Sequence, residues 1–148
     1  MPHSYVSNLV HYIFSTKERF PFIDQELESR LWPYMGGIAR TNGIKPVAIG
    51  GMEDHCHLLL ALPSDMPIAK AVQLVKGGSS KWFREKHLRN FAWQQGYGAF
   101  SVSISQVPKT IAYIQNQPNH HRKIDFAAEF VLLLERHGIE YDPKYVLG

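Results

Sequence analysis

The run His55-Cys56-His57-Leu58-Leu59-Leu60 limits the possible folds more than any other stretch of the chain. It is apolar from Leu58 to Leu62 and bounded by Gly50-Gly51 before and Pro63-Ser64 after, the pattern of a short buried strand. Side chains alternate across a strand, so His55 and His57 share one face while Cys56 points into the opposite layer. Two imidazoles at i and i+2 on a rigid strand form a two-point platform for a metal, open to a third ligand from elsewhere. For such a pair taken alone, a strand-end histidine beside a hydrogen-bonded core histidine is an equally good reading.

Strand and helix patterns alternate around this run. Ser7 to Ser15, rich in β-branched and aromatic residues, reads as a buried strand in which His11 is a hydrogen-bonded residue and not a ligand. Asp24 caps a helix carrying Leu27, Leu31, Met35 and Ala39 at helical spacing, with a kink expected at Pro33 or Gly36-Gly37 and an end at Asn42-Gly43. Val47 to Met52 and His55 to Leu62 form a hairpin turning at Glu53-Asp54. Pro67 opens a second helix, which Gly77-Gly78-Ser79-Ser80 should interrupt before it resumes at Lys81-Trp82-Phe83-Arg84. An aromatic, glycine-punctuated loop from Phe91 to Phe100 leads into an alternating strand, Ser101 to Ser105.

A helix from Lys109 to Gln117 places Tyr113 and Gln117 at i and i+4, on one face. Pro118 should end or kink it. The polar connection Asn119 to Lys123 leads to a last amphipathic helix, from Asp125 through Phe126, Phe130, Leu133 and Leu134 to a stop at Gly138. The resulting order is strand, helix, strand, strand, helix, strand, helix, helix. It predicts an α+β, ferredoxin-like (split β-α-β) antiparallel sheet with helices on one face and further helices appended at the C-terminus. The first and third strands would be central, with the histidine pair on the most rigid part of the sheet.

Composition narrows the class. The 148 residues suit one domain, 1–148, and the formal charge of +3 permits a nucleic-acid partner without demanding one. A single cysteine rules out an intrachain disulfide framework and fits a reducing compartment. No stretch approaches the roughly 20 apolar residues of a membrane span, and the start, Met1-Pro2-His3-Ser4, lacks the basic-then-apolar pattern of a signal peptide. A cytoplasmic protein is expected.

His55-Cys56-His57 resembles an HUH motif, in which U is a hydrophobic residue. Tyr113-Ile114-Gln115-Asn116-Gln117, followed by His120-His121, resembles the helix carrying the nucleophile in single-tyrosine HUH transposases. These belong to minimal insertion sequences and to relatives associated with repetitive extragenic palindromes. Trp93 to Ser101 and Gly138 to Asp142 are also similar to the family, so the likeness runs from near Tyr12 to Tyr145.

The resemblance implies a specific chemistry. His55, His57 and Gln117 would bind one divalent cation, Mg²⁺ or Mn²⁺, although the donor types alone would also suit Zn²⁺ or Ni²⁺. Tyr113 would attack phosphorus, leaving a 5′-phosphotyrosine and a free 3′-OH. The covalent bond conserves the phosphodiester energy, so strands can be rejoined without ATP. The implied substrate is single-stranded DNA bearing hairpins from imperfect palindromes, and the implied assembly is a homodimer whose two sites form in cis or in trans. Lys76, Lys81, Arg84, Arg122 and Lys123 are candidate contacts to the DNA backbone. Two other readings stay open: a domesticated palindrome-binding protein that mobilises nothing, and a different metal-dependent enzyme, such as a phosphodiesterase, in which Tyr113 is structural.

Overall fold

A computed structural model describes residues 4–86, 90–121 and 123–146. Four strands, β1 (Leu9–Ser15), β2 (Lys45–Met52), β3 (His55–Ala61) and β4 (Gly98–Val102), pair antiparallel in the order β2-β3-β1-β4. With α1 (Gln25–Thr41) between β1 and β2 and α2 (Ile68–Lys86) between β3 and β4, this is the ferredoxin-like arrangement. β1 and β3 are central, and the two-residue turn Glu53-Asp54 places Met52 opposite His55. Three further helices follow β4: α3 (Val107–Gln115), the short α4 (Gln117–His120) and α5 (Phe126–Arg136). No described helix is long and apolar enough to cross a membrane.

The two faces of the sheet carry different layers. Tyr12, Phe14, Cys56, Leu58 and Leu60 point to one side and are buried against Leu31 and Met35 of α1 and Val72, Val75 and Phe83 of α2. His11, Ile13, His55, His57 and Leu59 belong to the other side. There Ile114 of α3 covers Leu59, and Phe126, Phe130 and Leu133 of α5 cover Ile13 and Phe100. The face assignment from strand alternation therefore holds, with Cys56 in the main core and its thiol pushed up by burial.

Local signals explain most boundaries. Asp24 accepts from the Leu27 amide at 2.8 Å and Asp125 from the Ala128 amide at 2.9 Å, so α1 and α5 begin where their capping residues stand. α1 continues through Pro33 without dividing. α2 is one unbroken helix, contrary to the interruption expected at Gly77-Gly78. A Cβ at Gly78 would stand 2.8 Å from Ile38 Cδ1, so this glycine serves the close crossing of α1 and α2 and does not break the helix. β4 begins at Gly98, within the expected aromatic loop, because Phe100 is buried opposite His11 and carries the strand pairing with it. Ser103 then ends the strand and precedes a single 3-10 turn.

Candidate functional site

The site forms where α3, α4 and α5 cover the histidine face of the sheet. Gly50 sets the approach of α3. A Cβ there would lie 3.0 Å from the Ile114 carbonyl oxygen, so glycine lets the helix down onto β2 without a shift of either element. Tyr113, the residue before Ile114, is thereby brought edge-on to His57, with ring centroids 5.5 Å apart. Pro118 does break the helix: α3 ends at Gln115, Asn116 turns, and α4 starts at Gln117 with proline in its first turn. The break is short enough that Gln117 stays under Tyr113, its Nε2 donating to the Tyr113 carbonyl at 3.3 Å. Tyr113 thus meets the histidine pair of its own chain.

His55, His57 and Gln117 are all fully buried. They are not the open-faced platform that the strand pattern suggested, because α4 and α5 close over them. His55 Nε2 faces Gln117 Oε1 at 3.0 Å, and His57 Nδ1 faces His11 Nε2 at 2.8 Å. The decisive partner is Glu129 of α5, itself 1% exposed. Its Oε1 lies 3.4 Å from His55 Nε2, 3.2 Å from His57 Nε2 and 3.0 Å from His121 Nε2. Its Oε2 lies 3.4 Å from His120 Nε2, accepts from Gln117 Nε2 at 3.2 Å, and accepts a short hydrogen bond from the Tyr113 hydroxyl. The expected histidines, tyrosine and glutamine are therefore all gathered on one carboxylate.

Glu129 escaped the sequence reading because it lies far along the chain from both motifs. A signal was present: it sits three residues after Phe126 and four before Leu133, a charge on the apolar stripe of an amphipathic helix. His121, adjoining the same carboxylate, had no assigned role either.

The electrostatics follow from burial opposed by pairing. Burial alone would raise the Glu129 carboxyl, but hydrogen bonds from His121 and His57 and the charge of the surrounding imidazoles outweigh it and keep the group ionised. Burial, then the Glu129 charge and hydrogen bond, hold the Tyr113 proton on well above the usual phenol range. His57 is pushed down by burial despite Glu129. Burial also disfavours charge on His121, but its hydrogen bond to Glu129 reverses the direction and raises it.

His11 is pushed down to about 3, by burial first and by His57 second. The unfolded chain takes up this proton near pH 6.5, whereas the folded chain does so only near the lowered value. Its stabilisation is therefore fully present above the unfolded value and is lost as pH falls through the interval between the two. This residue alone should make urea unfolding about 2 kcal/mol easier at about pH 5 than at about pH 7, and His11→Gln should remove that share. An identical pH dependence in wild type and variant would mean that His11 is charged in the fold.

The donor set fits a metal ion. Asp54 Oδ1 accepts a hydrogen bond from His55 Nδ1 at 2.8 Å, and in that tautomer the Nε2 lone pair faces two oxygens, Gln117 Oε1 and Glu129 Oε1. A cation between these atoms would engage all three. Neighbouring ligand atoms around an octahedral cation with bonds of 2.0–2.1 Å stand about 3 Å apart, close to the separations here. His55, His121 and Glu129 offer ligand atoms within 4.8 Å of one another and could hold a metal ion.

The proposed DNA contacts are placed differently. Lys76 belongs to the fold, its Nζ donating to the carbonyls of Gln94, Gln95 and Gly96 at 2.6, 3.3 and 3.1 Å and lying 5.1 Å from the Phe14 ring centre. Lys76 and Arg84 line a cavity of about 450 Å³ between α2 and residues 92–97, on the sheet face away from the site. Lys81 is exposed on α2 and Lys123 is exposed after α4. Arg122 lies outside the described residues.

A ferredoxin-like sheet carrying a buried His-x-His pair, with a tyrosine and a glutamine brought over it from the following helices, defines a single-tyrosine transposase. The chain matches the model of the family "Transposase IS200 like" over residues 4–117 and belongs to that family. It is 27% identical over 114 residues to the ISDra2 transposase TnpA of Deinococcus radiodurans, covering 72% of this chain and 81% of that protein. Among solved structures, a candidate transposase from Deinococcus radiodurans R1 superposes with a TM-score of 0.62 at 29% identity, covering 79% of this chain and 96% of that one. A REP-associated tyrosine transposase bound to a REP hairpin superposes with a TM-score of 0.61 at 15% identity, covering 82% and 73%, and supports the fold alone. Glu129 and the whole of α5 lie beyond the matched residues.

Proposed function

We propose that the chain cleaves and rejoins single-stranded DNA through Tyr113, with one divalent cation, Mg²⁺ or Mn²⁺, held by His55, His57 and Gln117 and joined by Glu129. The observation that carries this reading is the meeting of His55 and Gln117, 62 residues apart, within 3.0 Å beside Tyr113 in a chain of a transposase family. The carboxylate moves the donor set toward Mn²⁺ and Mg²⁺, which favour oxygen ligands. Such a cation supplies positive charge to a phosphate oxygen when bound.

The chain's own residues do the rest. Tyr113 Oη attacks phosphorus: the P–O bond to tyrosine forms, the bond to the 3′ oxygen breaks, and that oxygen takes a proton from solvent to leave a free 3′-OH. Two acceptors stand at the phenol, Glu129 Oε2 and His120 Nε2, the latter at 3.3 Å. Either can receive the phenol proton; burial lowers His120, and despite burial the surrounding histidines lower Glu129. Reversal by an incoming 3′-OH rejoins strands. The substrate class is a hairpin-bearing single strand; the REP-associated relative was solved bound to a REP hairpin. Two copies of the chain form the acting unit, as the family resemblance implies.

A second reading is hairpin binding without strand transfer. It is favoured by one feature, the hydrogen bond to Glu129 that keeps the proton on the Tyr113 phenol. One experiment separates the two. Labelled single strands taken from palindromes flanking the gene are incubated with protein and Mn²⁺, and the products are resolved under denaturing conditions. The expected product is a covalent adduct whose tryptic peptide carries the nucleotide on Tyr113. Cleavage without an adduct, or an adduct on another residue, would overturn the tyrosine assignment. Binding with neither would establish the second reading.

A further inference from the structure

Two cavities meet at Tyr113. One, of about 500 Å³, lies between α3, β4 and the C-terminal end of α5, with Ser103, Lys109, Tyr113, Arg136 and His137 in its wall. The other, of about 520 Å³, lies along the next flank of α3, with Lys109, Tyr113, Asn116 and His120 in its wall. Lys109 and Tyr113, one helical turn apart, are common to both and form the ridge between them.

The charges in these cavities have no ion-pair partner among the described residues. Neither Lys109 nor Arg136 forms an ion pair among the described residues, and both are exposed. Lys109 stands in the first turn of α3, where the helix dipole opposes a cation, so helix stability does not account for it. No carboxylate among the described residues lines either cavity, and the hydroxyls of Ser103 and Thr110 lie in the wall of the first, paired with Ser105 and the Gln106 carbonyl. His137 closes its far wall, fixed by a 2.8 Å hydrogen bond to the Leu133 carbonyl and stacked on Phe100 at 4.4 Å. The result is a cationic trough of mixed polar and apolar wall on either side of one phenol, each half large enough for a nucleotide.

We propose that the two cavities form a single track for a DNA strand, in which Lys109 holds a backbone phosphate adjoining the one at Tyr113 and Arg136 holds the next along the α5 side. The proposal rests on the reading of Tyr113 as the nucleophile. A strand cut within its length must pass the nucleophile on both sides, which a cavity on one flank alone does not allow. Lysine and arginine on successive phosphates bind any sequence and set the register of the strand. Arg136 lies beyond the family-matched residues, so α5 contributes a backbone clamp of its own as well as Glu129.

The test uses the full chain carrying Tyr113→Phe, so that binding is measured without cleavage. Fluorescence anisotropy of a labelled thymidine single strand of about 20 nucleotides is followed from about 50 to 200 mM salt. Adding Lys109→Ala and Arg136→Ala is expected to weaken binding about tenfold and to reduce the slope of log K against log salt by about 1.4, the share of two phosphate contacts to a single strand. Lys109→Gln with Arg136→Gln, which keeps longer side chains, should behave alike. Lys45→Ala with Lys70→Ala removes the same charge from residues that line neither cavity and should change affinity less than about twofold. Unchanged affinity and slope in the Lys109/Arg136 variants, or an equal loss in the Lys45/Lys70 variant, would overturn the track. Failure of the Tyr113 assignment would show separately, as cleavage persisting in the Tyr113→Phe parent.

Discussion

Tyr113→Phe is expected to reduce strand cleavage by on the order of 10⁴-fold or more and to abolish the covalent adduct, because removal of a nucleophile leaves only binding and electrostatics to assist the reaction. Binding of hairpin DNA should change little, since the ring, its edge contact with His57 and its place on α3 are retained. The structure adds a second expected effect. The phenol donates to Glu129, so its loss removes one donor from a buried carboxylate that keeps His57, His121 and Gln117. The cost should be about 1 kcal/mol, seen as a slightly lower melting temperature. Residual cleavage near the wild-type rate would remove Tyr113 from the reaction. A collapse of the fold would make it a structural residue, and comparing cleavage with thermal melts on the same preparation separates the two.

What the sequence disclosed, and what it hid, follows from how locally each feature is encoded. Strand alternation alone placed His55 and His57 on one face and Cys56 in the other layer, because a period of two leaves no choice once the strand is recognised. Tyr113 and Gln117 could be paired by helical spacing even though Pro118 divides the helix between them, since one turn residue hardly alters the direction of the following side chain. Features that depend on tertiary packing were not legible. Gly77-Gly78 reads as a break until Ile38 is seen against it, and Lys76 reads as a phosphate contact until its three carbonyl partners in the 94–96 segment are seen. The closure of the site was hidden for the same reason. It depends on where α5 docks, and α5 docks through Phe126, Phe130 and Leu133 against Ile13 and Phe100, contacts that no local pattern announces.

That docking makes α5 part of the site and gives the second large effect. Glu129 is the carboxylate that His55, His57, His120 and His121 share, Asp54 standing beside His55 Nδ1, and Tyr113 and Gln117 reach Glu129 as well, each of these groups within 3.4 Å of it. Glu129→Ala should be severe. It opens a cavity and leaves buried imidazoles, an amide and a phenol without their acceptor, at a cost of about 3–5 kcal/mol. Glu129→Gln keeps the shape but not the charge and should cost about 1–3 kcal/mol, which leaves a folded protein for the metal test. Thermal melts in Mn²⁺ then report on the ligand set independently of catalysis, because a cation that binds only the folded chain raises the melting temperature by an amount that grows with the logarithm of its affinity. If the carboxylate is a ligand, Glu129→Gln should lose on the order of 100-fold in Mn²⁺ affinity and most of the metal-induced rise. Gln117→Ala, which removes a neutral donor, should lose less. A larger Mn²⁺-induced rise in Glu129→Gln than in wild type would show that the carboxylate occupies the cation's place and does not hold it. The ligand set would then revert to the two strand histidines and Gln117.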